Sequence, residues 1–176
     1  MSAAIRFLEE QLLLEHSKPQ AQRLANWIGH DSDRLAALLT VFLGDNYRLS
    51  QRAAWVISTI ADKAPWLLEP WLPKMVSKMR EPGVHDAVKR NVVRVLQDMA
   101  IPDSILDDLA DACFGFLADP QEAVAIRVFS MSVLEKICQK IPELKSELRL
   151  LLEEHLPHGT AGFKNRAQKI LRRLGG

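Results

Sequence analysis

Four arginines recur along this chain at nearly constant intervals. Arg52, Arg90, Arg127 and Arg166 are separated by 38, 37 and 39 residues, and each leads an apolar segment of similar form. A second marker keeps the same period: Pro65, Pro102 and Pro142 close three of those segments and precede the next arginine by 25, 25 and 24 residues. A fixed period of roughly 20 to 50 residues is the signature of stacked supersecondary units, each too small to bury its own apolar face and each completed by its neighbours. This constraint points away from a simple bundle before any other feature is considered.

Between the breakers, apolar residues recur at spacings of three and four, and alternating runs joined by Asn-Gly or Asp-Gly turns are missing, so the expected fold is all-α. Glu81-Pro82-Gly83, Asp119-Pro120 and Pro157-His158-Gly159 split each period into a first helix headed by the proline and a second helix that begins near the arginine. The predicted pairs are 31–43 with 47–63, 66–80 with 84–100, 103–118 with 121–140, and 143–156 with 160–174. A less regular pair, 2–15 with 19–29, precedes them. We therefore expect one domain over 1–176, with residues 1–30 as an N-terminal capping pair and 31–174 as four repeat pairs. In the segment 84–100, Val88, Val92, Val95, Leu96 and Met99 make an apolar stripe broader than one neighbouring helix can cover, which is the physical reason for stacking.

The unit length, the proline at the head of each first helix, the run Leu72-Pro73-Lys74-Met75-Val76 and the arginine opening each second helix resemble HEAT repeats, with armadillo and adaptin-type solenoids close to them. The resemblance covers residues 31–174. It implies an α-solenoid of about five helix pairs, a right-handed superhelical slab with the second helices lining its concave side. The chain departs from the family pattern where an Asp normally precedes the arginine: Asn46 or Val84 stands there, and Asp86 and Asp119 are out of step.

Charge is balanced overall, 23 Lys and Arg against 22 Asp and Glu, which excludes a histone-like polycation and an acidic tail. It is segregated locally. Ile101 to Glu122 carries six acids and no Lys or Arg, whereas Lys164, Arg166, Lys169, Arg172 and Arg173 follow Pro157 with no acid. No segment approaches the roughly 20 apolar residues of a membrane span, and the N-terminal apolar patch is broken by Glu9 and Glu10, so no membrane association and a cytoplasmic location are expected. Cys113 and Cys138 have no CxxC partner and are expected to be free, buried thiols.

No GxSxG, Walker A, GxGxxG or HExxH motif is present, so no catalytic residue, metal site or cofactor is expected. His155 and His158 beside Glu154 come nearest to ligand spacing, but an i, i+3 His pair next to a proline fits cations at a helix C-terminus. Thr160 is expected to cap the last helix, in a Gly-bracketed loop that could also hold an anion. Trp66 and Trp71 are expected to pack against neighbouring pairs.

The candidate binding residues on the concave surface are Trp55, Lys89, Val93, Arg94, Gln97, Ser130, Lys169 and Arg173. Trp55, Val93, Ser130 and Lys169 occupy the same column three residues after each arginine, a mixture of types expected of a groove-lining column; for Trp55 a core contact between units is the alternative. The expected function is a non-enzymatic interaction, scaffold or adaptor module that binds a protein or peptide. The alternative is nucleic-acid binding, with Lys89, Arg94, Lys169 and Arg173 on phosphates, or an alkylated-base DNA glycosylase on the same scaffold. HEAT-like glycosylases for alkylated DNA bases use such a groove, although no residue pair here matches theirs.

Overall fold

The computed structural model describes residues 2–175, and these contain ten α-helices and no strand. The chain divides into two compact units, residues 1–91 and 92–176. The first holds α1 (Ala3–Leu14), α2 (Lys18–Ile28), α3 (Ser32–Phe42), α4 (Tyr47–Lys63), α5 (Leu72–Met79) and the start of α6 (Asp86–Leu96). The second holds the rest of α6 with α7 (Leu106–Ala118), α8 (Val124–Lys140), α9 (Lys145–His155) and α10 (Ala161–Leu174). In chain order the ten helices make the five expected pairs of an all-α solenoid. No helix among the described residues is long and apolar enough to cross a membrane.

Five helices begin on side-chain caps: Ser2, Ser17, Asp31, Asn46 and Thr160 each accept a backbone N–H from the first turn. The first helices of the later pairs begin differently. The stretches after Pro65, Pro102 and Pro142 wind as 3-10 turns over 65–67 with 69–71, 103–105 and 142–144, so α5, α7 and α9 start later than the sequence reading placed them. A proline lacks the N–H of a regular first turn and pushes its predecessor out of the helical region, and a short 3-10 turn accommodates both. Arg52, Arg90, Arg127 and Arg166 lie about one turn inside α4, α6, α8 and α10, consistent with second helices predicted to start at 47, 84, 121 and 160.

In the first unit α1 packs on α3 and α4, and α2 on α4. Leu8, Leu12, Leu38, Leu39, Phe42 and Ile57 fill the space between them. In the second unit α8 is central, packed by α7, α9 and α10. Its buried residues, Ile126, Ser130, Met131, Val133, Leu134 and Ile137, run round the helix instead of forming one stripe. Cys113 and Cys138 are free and buried.

The repeated arginine does not make a repeated contact. Arg52 Nη1 donates to the carbonyls of Leu12 (2.6 Å) and Leu13 (3.0 Å) at the end of α1. Arg127 is buried, and its Nε and Nη2 donate to Leu117 O near the end of α7 at 3.2 and 3.0 Å, while its guanidinium lies 4.7 Å from the centre of the Phe163 ring. Arg90 is exposed. Where the arginine caps, it supplies the partners that a helix C-terminus lacks. A neighbouring position does related work: Asn91 Nδ2 donates to Ala54 O and Ser58 Oγ, both at 2.9 Å, tying α6 to α4.

Two glycines should respond oppositely to a methyl group. A Cβ on Gly159 would stand 2.5 Å from Phe163 Cδ1, whereas one on Gly115, inside α7, meets nothing within 4 Å. Gly159→Ala is expected to destabilise the protein by about 1–3 kcal/mol and Gly115→Ala to stabilise it by about 0.5–1 kcal/mol, read by urea unfolding. Burial pushes the Cys113 thiol from its ordinary 9.0 up to about 12, with the Ser130 hydroxyl opposing. A group raised in the fold keeps its full contribution below the unfolded value and loses it as pH rises toward the folded one. Stability should therefore fall as pH rises above about 9, more steeply than in Cys113→Ala, in urea titrations from about pH 8 to 11.

Candidate interaction surface

In the second unit the side chains of α6, α8 and α10 meet along one row. Arg166, on α10, donates through Nη1 to Ser132 Oγ on α8 at 2.5 Å and makes a long 3.5 Å contact to Gln97 Oε1 beyond the end of α6. Two turns further along α10, Arg173 forms a two-pronged ion pair with Glu135 on α8, at 2.5 and 2.9 Å. That pair holds Arg173 further toward its charged form. Lys169 lies between these two arginines and is exposed, and Arg94, one turn before Gln97, is half-buried. The result is a face of mixed sign, crossed by a polar ladder and edged by cations.

Lys136 anchors this face from below. Its ammonium donates to the carbonyls of Leu96 (3.4 Å) and Gln97 (3.1 Å) and to that of Met99, gathering the end of α6 onto α8. Burial draws its pKa below the ordinary lysine value, with Asp98 opposing. Lys140 does the same for the next segment, donating to Ile101 O at 2.6 Å and Asp103 Oδ1 at 2.7 Å.

Of the predicted site residues, Gln97 and Arg173 take part in this row, Gln97 through Arg166 and Arg173 through Glu135, while Lys169 lies between the two arginines on α10 and Arg94 stands one turn before Gln97. Val93 and Ser130 require correction: both are fully buried, Ser130 beside Cys113, and neither can line an accessible groove. The residues three after Arg90 and Arg127 point into the core because α6 and α8 carry neighbours on that side, whereas α10 leaves Lys169 open. In the first unit Lys89 stands 3.6 Å from Asp86. Trp55 keeps 38% of its surface exposed on α4, with the His16 ring edge-on at 5.2 Å. Trp66 is 54% exposed, against the packed position expected of it, and Trp71 carries Lys74 at 5.0 Å over its ring.

Sequence reasoning missed Ser132, Glu135 and Lys136, and used Arg166 only as a repeat marker. Nothing local in the sequence distinguishes Glu135 from the other acids; its pairing follows from a register between α8 and α10 that only the packed helices define. A further cleft, about 200 Å³, lies in the first unit between the starts of α4 and α6. The Tyr47 and His85 rings stack there at 3.6 Å, Lys78 bridges Asp45 and Glu81, and His85 Nδ1 accepts the Ala87 N–H. No group of three or more His, Cys, Asp or Glu among the described residues is arranged to hold a metal ion.

Compared with known proteins, residues 8–174 match the family model described as a HEAT repeat domain. No curated protein and no solved structure matches the chain.

The anchoring lysine can be tested directly. Lys136→Met removes the donor from three backbone carbonyls while keeping most of the side chain's volume, and is expected to cost about 1–3 kcal/mol in urea unfolding.

Proposed function

Since the chain belongs to the HEAT-repeat family, we propose that it is a non-enzymatic interaction module whose α6–α8–α10 face meets a protein or peptide partner. HEAT repeats generally mediate protein–protein contact or scaffolding. What carries the reading for this chain is the mixed sign of that face. Arg173 is already neutralised by Glu135, and Arg166 is spent on Ser132, so the row retains Arg94 and Lys169 beside an acid and two polar groups. Nucleic acid is bound by several uncommitted cations that follow the phosphates. Interspersed charges with fixed partners favour instead one complementary polypeptide surface over others, through register and repulsion of wrong matches.

The test is selection of peptides from a displayed library on the wild-type chain, followed by fluorescence anisotropy with the selected peptides. Combined Arg94→Glu and Lys169→Glu is expected to weaken the peptides that dock on this face at least tenfold. Labelled duplex and single-stranded DNA and RNA are expected to show no salt-sensitive binding at low or moderate ionic strength. Micromolar nucleic-acid binding that falls steeply with salt would overturn the proposal.

A further inference from the structure

One cation of the second unit is held in place without being neutralised. Arg166, half-buried on α10, donates from Nη1 to Ser132 Oγ at 2.5 Å and, over a long 3.5 Å, to Gln97 Oε1. Both acceptors are neutral. The Ser132 hydroxyl gives its own proton to Val128 O at 3.2 Å, one turn back on α8, which leaves an oxygen lone pair for the guanidinium. Only Nη1 is spent in this way: Nε and Nη2 of Arg166 enter no hydrogen bond or ion pair among the described residues. Arg173, two turns further along α10, shows the other arrangement, a guanidinium closed by both oxygens of Glu135.

The acids beside Arg166 are already matched. Glu135 is taken by Arg173, and Asp98, exposed beyond the end of α6, acts on the Lys136 ammonium. Lys169, three residues after Arg166 and therefore on the same side of α10, is exposed and makes no ion pair among the described residues. Two cations thus stand one turn apart with no carboxylate of this chain on either. A half-buried guanidinium gives up part of its hydration, and neutral oxygens repay less of that loss than a carboxylate does.

We infer that Arg166 receives a carboxylate of an acidic peptide on its Nε–Nη2 edge, as a two-pronged pair, while Ser132 and Gln97 hold the opposite amino group and a neighbouring acid of the same peptide meets Lys169. The inference rests on the reading of the α6–α8–α10 face as an interaction surface and names the chemistry of its partner. Guanidinium–carboxylate pairs are geometrically specific, and a side chain already held at one end gives up less freedom when the pair forms. The next pair along the row decides between anions. A phosphate chain following α8 from Ser132 would meet the Glu135 carboxylate one turn on, whereas a peptide can place an uncharged residue there.

The experiment takes peptides selected from a displayed library on the full chain, retains those weakened by Arg94→Glu with Lys169→Glu, and titrates labelled copies by anisotropy against wild type, Arg166→Gln, Arg166→Lys and Ser132→Ala. Far-UV circular dichroism and urea unfolding check that each variant folds. Changing one acid of the peptide to its amide and Arg166→Gln are each expected to cost about tenfold or more, and together no more than either alone. Arg166→Lys keeps the charge without the fork and is not expected to restore affinity. Ser132→Ala leaves the charge untouched and is expected to weaken binding by about twofold to tenfold, the cost of ordering one long side chain. Should Arg166→Gln fail to fold, Arg166→Lys and Ser132→Ala complete the same cycle with the amide peptide. Retained peptides that lack an acid, or whose losses on amide replacement and on Arg166 substitution add, overturn the inference and leave the interaction reading standing. A library that yields no retained peptide, or salt-sensitive binding of a labelled oligothymidylate, sinks both.

Discussion

A pair of short helices cannot cover its own apolar surface, and the architecture of this chain is a response to that shortage. The helices of the first unit find cover in the next pair along, α1 against α3 and α2 against α4. In the second unit the shortage is met most fully at α8, which α7, α9 and α10 cover from three sides and whose buried residues therefore run round the helix. Stacking of this kind repeats an apolar requirement without repeating any particular polar contact, and the polar contacts are free to differ from pair to pair.

That freedom explains the arginines. Two of the four, Arg52 and Arg127, fall near the end of another helix, where carbonyls lack partners. What these arginines meet depends on local register: the last carbonyls of α1 for Arg52, Leu117 O and the Phe163 face for Arg127, and a hydroxyl within α8 for Arg166. Lysines at other positions serve the same need, Lys136 at the end of α6 and Lys140 just beyond it. The demand for donors at helix ends is general, and several kinds of long cationic side chain can meet it.

The periodicity of arginine and proline was enough to read the helix pairs and their order from the sequence, because both markers follow from apolar spacing and backbone geometry. The 3-10 turns after Pro65, Pro102 and Pro142 were not legible, since a proline near a helix start is compatible with either kind of turn. The column of Trp55, Val93, Ser130 and Lys169 misled for a related reason. Equivalent positions were treated as equally exposed, whereas α6 and α8 are covered on the side where Val93 and Ser130 project. Arg94, Gln97, Lys169 and Arg173 were chosen from charge and spacing alone, whereas the contacts that Ser132, Glu135 and Arg166 make depend on side-by-side register between helices distant in sequence.

The capping of helix ends by side chains from far along the chain bears on how the protein breathes. An isolated helix frays at its last turn independently of everything else. Here the final carbonyls of α1 are held by α4, and those of α6 by α8, across sequence separations of about forty residues. Opening of either end therefore requires a side chain of a later helix to let go, so amide exchange at these termini should belong to sub-global openings shared by two helix pairs, in place of the private fraying usual for a helix terminus.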